Sequence, residues 1–279
     1  MGAYLRPATL EAALDALAAR KLTVIAGATD HYPARVGRVV EEDILDLTAI
    51  RDLGAIEIGE TFLRIGATAT WTAIAEADLP ATHRALGQAA REIGGRQIQN
   101  AGTVGGNVCN ASPAADGIVA LMALDAQVEI ADRHGRRLVP LADFVLGNRK
   151  IALRPDQLVV AFVLPRARHS ARSGFVKLGA RKFLVIGIVM VAAAIEVEAG
   201  VVVAARVAVG AAGPKAQRLP ALEAALIGRA SDAVLGEALL PAHLAPLSPI
   251  DDIRADAAYR RDAAATLIRR LLSDLGRGA

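Results

Sequence analysis

The 279-residue sequence predicts an α+β chain of two domains. The first half alternates short apolar runs with helical patterns, whereas the second half places three strand-like runs, residues 174–179, 185–197 and 201–209, ahead of a mainly helical tail. The length also suits roughly two domains of ordinary size.

Composition narrows the class. With 53% hydrophobic and 22% charged residues and no low-complexity tract, the chain reads as globular rather than disordered. The net charge of +3 comes from Lys and Arg scattered among Asp and Glu, without a basic stripe, so nucleic acid is a poor partner. A single cysteine, Cys109, excludes an intramolecular disulfide framework and a cysteine-ligated iron–sulfur cluster or zinc site on this chain. No signal-peptide pattern is present, and the longest apolar stretch, residues 185–195, is too short to span a bilayer and carries Gly187. The expectation is a soluble cytoplasmic protein that does not span a membrane.

Taken in order, Leu10, Leu14 and Leu17 share one face of a helix. The run 22–25 reads as a strand entering a small-residue turn, and 44–47 as another strand, so these segments form a small α/β unit. Residues 56–58 and 62–65 pair around Gly59-Glu60. Helices are expected at 71–77, 83–93 and 118–124. Residues 127–131 and 158–164 read as strands, the latter stopped by Pro165, with a turn at 132–135. Residues 166–173 read as a polar linker. Gly200 sits where the second and third C-terminal strands need a hairpin turn. Helices are then expected at 219–227, 233–240 and 253–275.

Two glycine-rich segments carry the chemistry. Residues 100–116, NAGTVGGNVCNASPAAD, read as a loop of low bulk, with Gly102, Gly105 and Gly106 among small polar residues just before an apolar helix. A backbone with few Cβ atoms can press N–H groups against an anion, so the segment points to a phosphate-bearing cofactor. The other segment, Ala26-Gly27-Ala28-Thr29-Asp30-His31, follows a strand and matches neither the dinucleotide-binding nor the P-loop fingerprint. Together the segments favour two arms of one dinucleotide site. In the later segment Thr103, Val104, Gly105, Gly106 and Asn107, with Asn110, Ser112 and Asp116, are the candidates. Asp116 either accepts from ligand hydroxyls or a ring N–H, or caps the following helix. Cys109 has no histidine at a telling spacing and reads as a packed small residue. The arginines of 251–275 read as part of a docked amphipathic helix rather than an anion site.

The ordered segments AGATDHYP, QNAGTVGGNVCNASPAAD, GFVKLGARKFLVIGIVMVAAAI and DDIRADAAYRRDAAATLIRRLL resemble the FAD-binding medium subunit of molybdenum-containing hydroxylases, the xanthine dehydrogenase and carbon monoxide dehydrogenase family. The resemblance covers nearly the whole chain. It implies a PCMH-type (vanillyl-alcohol oxidase-like) FAD domain over 1–167, with α/β subdomains of about 1–55 and 56–167. An α+β C-terminal domain with an antiparallel sheet and helices would follow over 168–279. FAD would lie between the subdomains and the C-terminal domain. Ala26, Gly27, Ala28, Thr29, Asp30 and His31 would bind its diphosphate through backbone N–H groups, and Thr103, Val104, Gly105, Gly106 and Asn107 would form the second arm. Asp116, Val159 and Lys177 would contact the cofactor, and Ile93 stands where some relatives place an aromatic residue against the flavin. Lys177 would favour the anionic reduced flavin and raise its potential.

The chain departs from many relatives in having Ala28 for a second glycine and His31 for an aliphatic residue. The implied activity is electron transfer from 2Fe–2S clusters of a small subunit through FAD to an external acceptor. The implied partners are that small subunit and a large molybdopterin-binding subunit, in a dimer of heterotrimers. No residue of this chain is expected to be catalytic or to bind a metal. A stand-alone FAD-dependent oxidase and a non-catalytic assembly subunit are the alternatives. The substrate of the complex is bound on another chain and is not legible here.

Overall fold

The computed structural model describes every residue except Met1, Arg38, Val40, residues 167–169, Phe183 and Ala279. Within the first 55 residues lie β1 (Tyr4–Leu5), α1 (Leu10–Ala19), β2 (Thr23–Ile25) and β3 (Ile44–Asp46). The strands form a parallel sheet in the order β1-β3-β2. Thr9 caps α1 by accepting from the Ala12 N–H, and the buried residues Ala13, Leu14 and Leu17 press against Leu45 and Leu47.

A second sheet contains β4 (Ile56–Ile58), β5 (Phe62–Gly66), β6 (Gln127–Asp132), β7 (Gly135–Pro140) and, further along the chain, β10 (Leu158–Pro165). Its order is β4-β5-β10-β6-β7 with antiparallel pairings. Between β5 and β6 come α2 (Trp71–Glu76), α3 (Arg84–Glu92), α4 (Arg96–Ala101), α5 (Val104–Asn110) and α6 (Asp116–Ala123). After β7 come α7 (Leu141–Phe144) and a hairpin of β8 (Val145–Gly147) and β9 (Lys150–Ile151). Side chains of β10 serve two cores. Leu158 and Val160 face the α1 layer, whereas Val159, Phe162 and Leu164 face the helices.

The C-terminal sheet is a meander of β11 (Arg172–Leu178), β12 (Val189–Glu198), β13 (Val201–Gly210) and β14 (Gln217–Arg218). Ala199 and Gly200 join β12 to β13 with φ of +48° and +78°, the left-handed pair that a tight hairpin requires. Val189, Val191, Ala193 and Ile195 of β12 pack on α8 (Pro220–Leu226) and α9 (Ala257–Arg277). Met190, Ala192 and Ala194, on the other face, join the core that contains α6. Every residue of α6 is buried, which explains its nearly continuous apolar sequence. Arg260 of α9 is buried and donates to the carbonyls of Ile188 and Ala211 and to Asp252, so it is a structural anchor.

Several expected elements are shortened or replaced. The strand expected from residue 185 begins at Val189, because its partner β11 ends at Leu178 and offers no ladder beyond that point. The helix expected over 233–240 is only a short 3-10 turn, Leu235–Ala238, where a Cβ on Gly236 would come within 2.2 Å of the Arg269 carbonyl oxygen. The last helix starts at Ala257 under an Asp256 cap, leaving Ile253 99% exposed. The linker read over 166–173 already belongs to β11 from Arg172 onward. The expected domain boundary between residues 167 and 168 lies outside the described residues.

Candidate cofactor site

The first arm leaves the end of β2. Ala28 has φ +53°, and residues 27–31 donate no backbone hydrogen bond to any described residue. A run of unpaired N–H groups on a left-handed turn forms a concave anion receptor. Gly27 is fixed by packing, since a Cβ there would stand 1.7 Å from the Ala101 carbonyl oxygen. Thr29 Oγ1 lies 3.4 Å from the Cβ position of Gly102, so this arm touches the second. The ring of His31 turns toward Glu42, with Nε2 3.5 Å from Oε1. Desolvation, then Arg35, lowers the His31 pKa below its ordinary value.

The second arm differs from the loop expected at residues 100–116. It consists of α4, the joint at Gly102-Thr103, α5, and a turn into α6. Its backbone donors are already committed. Val104 and Gly105 donate to the carbonyls of Ala69 and Ala67 at 3.0 and 2.8 Å. Gly106 donates to the Thr103 cap and Asn107 to the Thr103 carbonyl, each at 3.0 Å. Helix formation and the carbonyls of the turn that follows β5 consume the N–H groups that a loop would have left open.

The two glycines also have different duties. A Cβ on Gly105 would meet the Ala67 carbonyl oxygen at 2.6 Å, whereas on exposed Gly106 it would meet only Thr103 Oγ1, at 3.0 Å. What this arm still offers is side-chain chemistry, because Asn107 Oδ1 is buried with no hydrogen-bond donor among the described residues. Cys109 lies within α5, half-buried, and burial pushes its thiol up to about 12, which suits a packed residue rather than a nucleophile.

A third cluster joins the N-terminal region to the C-terminal sheet. Lys177 Nζ donates to Asp116 Oδ2 at 2.9 Å and to the Glu92 carbonyl at 3.2 Å, with both side chains almost fully buried. Ile93 follows Glu92 directly and is buried beside this contact. Burial pushes the Asp116 carboxyl up to about 6, against the opposing pull of Lys177. Asp116 is the first residue of α6 and not its cap; that position belongs to Ala115, whose side chain makes no capping bond. Asp116 Oδ1 is buried and has no hydrogen-bond donor among the described residues. Val159 is buried in β10, next to Val160, whose carbonyl accepts from Ala67.

The expected residues therefore fall into three neighbouring groups. The two arms touch through Gly27, Thr29, Ala101 and Gly102, while Asn110 Nδ2 donates to Asp30 Oδ2 at 2.8 Å. The sequence reading missed Trp71 and Gly117. A Cβ on Gly117 would fall 2.3 Å from the Trp71 ring and 2.8 Å from Asn107 Oδ1. A lone tryptophan and a glycine at the second position of an apolar helix were the available signals.

These features fit a cofactor with a diphosphate and several hydroxyls. They comprise an N–H row and two buried acceptors, Asn107 Oδ1 and Asp116 Oδ1, without partners among the described residues, and an open glycine position. Residues 1–167 match the family described as the FAD binding domain in molybdopterin dehydrogenase, and residues 175–275 match the CO dehydrogenase flavoprotein C-terminal domain. The chain belongs to the FAD-binding subunits of the molybdopterin dehydrogenases.

Among curated relatives, this FAD subunit is 31% identical to the nicotinate dehydrogenase FAD-subunit of Eubacterium barkeri, over 98% of this chain and 95% of that one. It is also 31% identical to the putative xanthine dehydrogenase FAD-binding subunit of Escherichia coli K12, over 97% and 94%. Among solved structures, it matches reconstituted CO dehydrogenase from Oligotropha carboxidovorans with a TM-score of 0.89 and 25% identity, covering 99% and 98% of the two chains. Quinoline 2-oxidoreductase from Pseudomonas putida 86 gives a TM-score of 0.88 and 25% identity, covering 100% and 98%. Membership makes the chain an FAD-carrying oxidoreductase subunit. Among the described residues no helix is long and apolar enough to cross a membrane.

Proposed function

We propose that this FAD subunit passes electrons from the 2Fe–2S clusters of a small subunit to an external acceptor, within a heterotrimer whose large subunit holds molybdopterin. The observation that carries this reading is the three-part site, with its unpaired N–H row at 27–31, donorless Asn107 Oδ1 and Asp116 Oδ1, and buried Lys177. The near full-length match to relatives named as subunits favours it over a stand-alone oxidase or an assembly subunit. Residues 1–167 and 168–279 are taken as the FAD-binding and C-terminal domains, with subdomains of about 1–55 and 56–167. A dimer of heterotrimers in the cytoplasm completes the proposal.

FAD, when bound, accepts electrons singly or in pairs and so links one-electron donors to one- or two-electron acceptors. The chain's own residues hold and tune it. Ala26, Gly27, Ala28, Thr29, Asp30 and His31 would receive the diphosphate through backbone N–H groups. Thr103, Val104, Gly105, Gly106 and Asn107 would form a second wall, with Gly106 leaving room and Asn107 Oδ1 accepting a hydroxyl. Asp116 Oδ1 would accept an N–H or O–H of the cofactor. Lys177 would set a positive charge beside the ring system, tempered by Asp116. Ile93 and Val159 would supply apolar packing.

The purified chain should be yellow, or become so on adding FAD, with one FAD per chain. A colourless preparation that takes up no added FAD would refute the reading. Co-purification with two partner chains, iron and molybdenum tests the heterotrimer.

A further inference from the structure

Arg149 lies outside both glycine-rich arms. It sits in the β8–β9 hairpin with φ +57°, a backbone conformation that non-glycine residues keep only where surrounding contacts enforce it. Those contacts converge on the end of α5. The Arg149 N–H donates to the Ala111 carbonyl at 3.0 Å, and Ala111 is itself left-handed, with φ +46°. The Arg149 guanidinium donates through Nη1 to Asn110 Oδ1 and reaches the Asn110 carbonyl oxygen at 3.4 Å. The other end of the Asn110 amide, Nδ2, donates to Asp30 Oδ2 at 2.8 Å. Asp30 belongs to the segment whose backbone N–H groups donate to none of the described residues.

The guanidinium offers only donors, and an amide has one donor end and one acceptor end. With its oxygen taken by Arg149, Asn110 must present its NH₂ group to Asp30. Without that cation the amide can flip and turn its oxygen on a carboxylate. The Asp30 carboxylate would then be released toward the space where a diphosphate would bind, adding negative charge to it.

We propose that Arg149 is a positioning residue of the cofactor site. By fixing the orientation of Asn110 it draws Asp30 aside and holds the 27–31 turn open for a diphosphate. This rests on the FAD reading above.

The test compares the full-length wild-type chain with Arg149→Gly and Arg149→Lys. Glycine accepts the positive φ without strain, so the hairpin is kept while the guanidinium is lost. FAD and ADP are titrated separately, with thermal unfolding of the apo chain and the visible spectrum at saturating FAD as companion readouts. Arg149→Gly should weaken both FAD and ADP about tenfold, the scale of one charge-assisted hydrogen bond. The unfolding midpoint and the spectrum should stay as in wild type, because the Asp116–Lys177 end is untouched. Arg149→Lys should recover part of the loss. Wild-type affinity for ADP and FAD in Arg149→Gly would overturn the inference. So would a loss accompanied by a lower midpoint and an altered spectrum, which would indicate damage to the whole fold. Failure of the wild-type chain to bind FAD would instead remove the reading on which the inference stands.

Discussion

Lys177 and Asp116 form a buried ion pair, Nζ to Oδ2 at 2.9 Å, that joins the first strand of the C-terminal sheet to the first residue of the fully buried helix α6. The pair lies where two parts of the chain far apart in sequence meet. Its energetics are unbalanced, because one carboxylate oxygen lacks a donor among the described residues. Above about pH 6, where Asp116 is ionised, removing either partner leaves a buried charge uncompensated. Lys177→Met should therefore destabilise the apo chain by about 3–5 kcal/mol, read from denaturant unfolding.

Asp116 also predicts a pH dependence. Its carboxyl ordinarily titrates at 3.8 and is raised to about 6 in the folded chain. The folded state thus binds the proton more tightly than the unfolded state. Its favourable contribution is fully present below the unfolded value and is lost as pH rises through about 6. Asp116→Asn should flatten that part of the stability profile, followed by unfolding midpoints of the apo chain across this range. An unchanged slope in the variant would assign the dependence to other groups.

Ala28 holds a left-handed conformation, φ +53°, that a Cβ penalises by about 1–2 kcal/mol. Glycine removes that penalty but adds unfolded-state entropy worth about 0.4–1 kcal/mol. Ala28→Gly should therefore leave stability unchanged or slightly raised and keep FAD binding, whereas Ala28→Val should lower both. Calorimetry of the apo chain and FAD titration check the two variants together.

Gly105 and Gly106 should separate folding from binding. Gly105→Ala drives a Cβ toward the Ala67 carbonyl and should lower the apo unfolding midpoint. Gly106→Val places its side chain on the open side of α5 and should leave that midpoint nearly unchanged while reducing FAD retention. Equal FAD content in wild type and Gly106→Val would remove Gly106 from the site.

The single tryptophan gives an internal probe. Trp71 is fully buried and wedged against Gly117, and its backbone N–H donates to the Gly102 carbonyl at 3.1 Å. Bound FAD should quench its fluorescence. Gly117→Ala should force the indole to move and cost about 1–3 kcal/mol by overpacking. An unshifted emission maximum and unchanged stability would show that the ring has room to spare.

Much of the order of elements was legible. Short apolar runs bounded by turn residues marked β5, β10 and the C-terminal strands, and Leu10, Leu14 and Leu17 marked α1. The second arm was harder. Glycine and asparagine disfavour isolated helices, so 104–110 reads as a loop. In the folded chain the Thr103 cap and the carbonyls of Ala67 and Ala69 make that segment helical. The same change withdraws the second arm's N–H groups and leaves the anion-binding donors of residues 27–31.

The sequence by itself determined the succession of strands and helices, the two glycine-rich arms and their kinship with FAD-binding subunits, because local periodicity and short motifs are properties of neighbouring residues. Tertiary structure alone decided which N–H groups remain open, that Lys177 meets Asp116, and that Arg149 reaches Asn110. These outcomes depend on hydrogen-bond partners and burial supplied by segments tens of residues away, which no local pattern encodes.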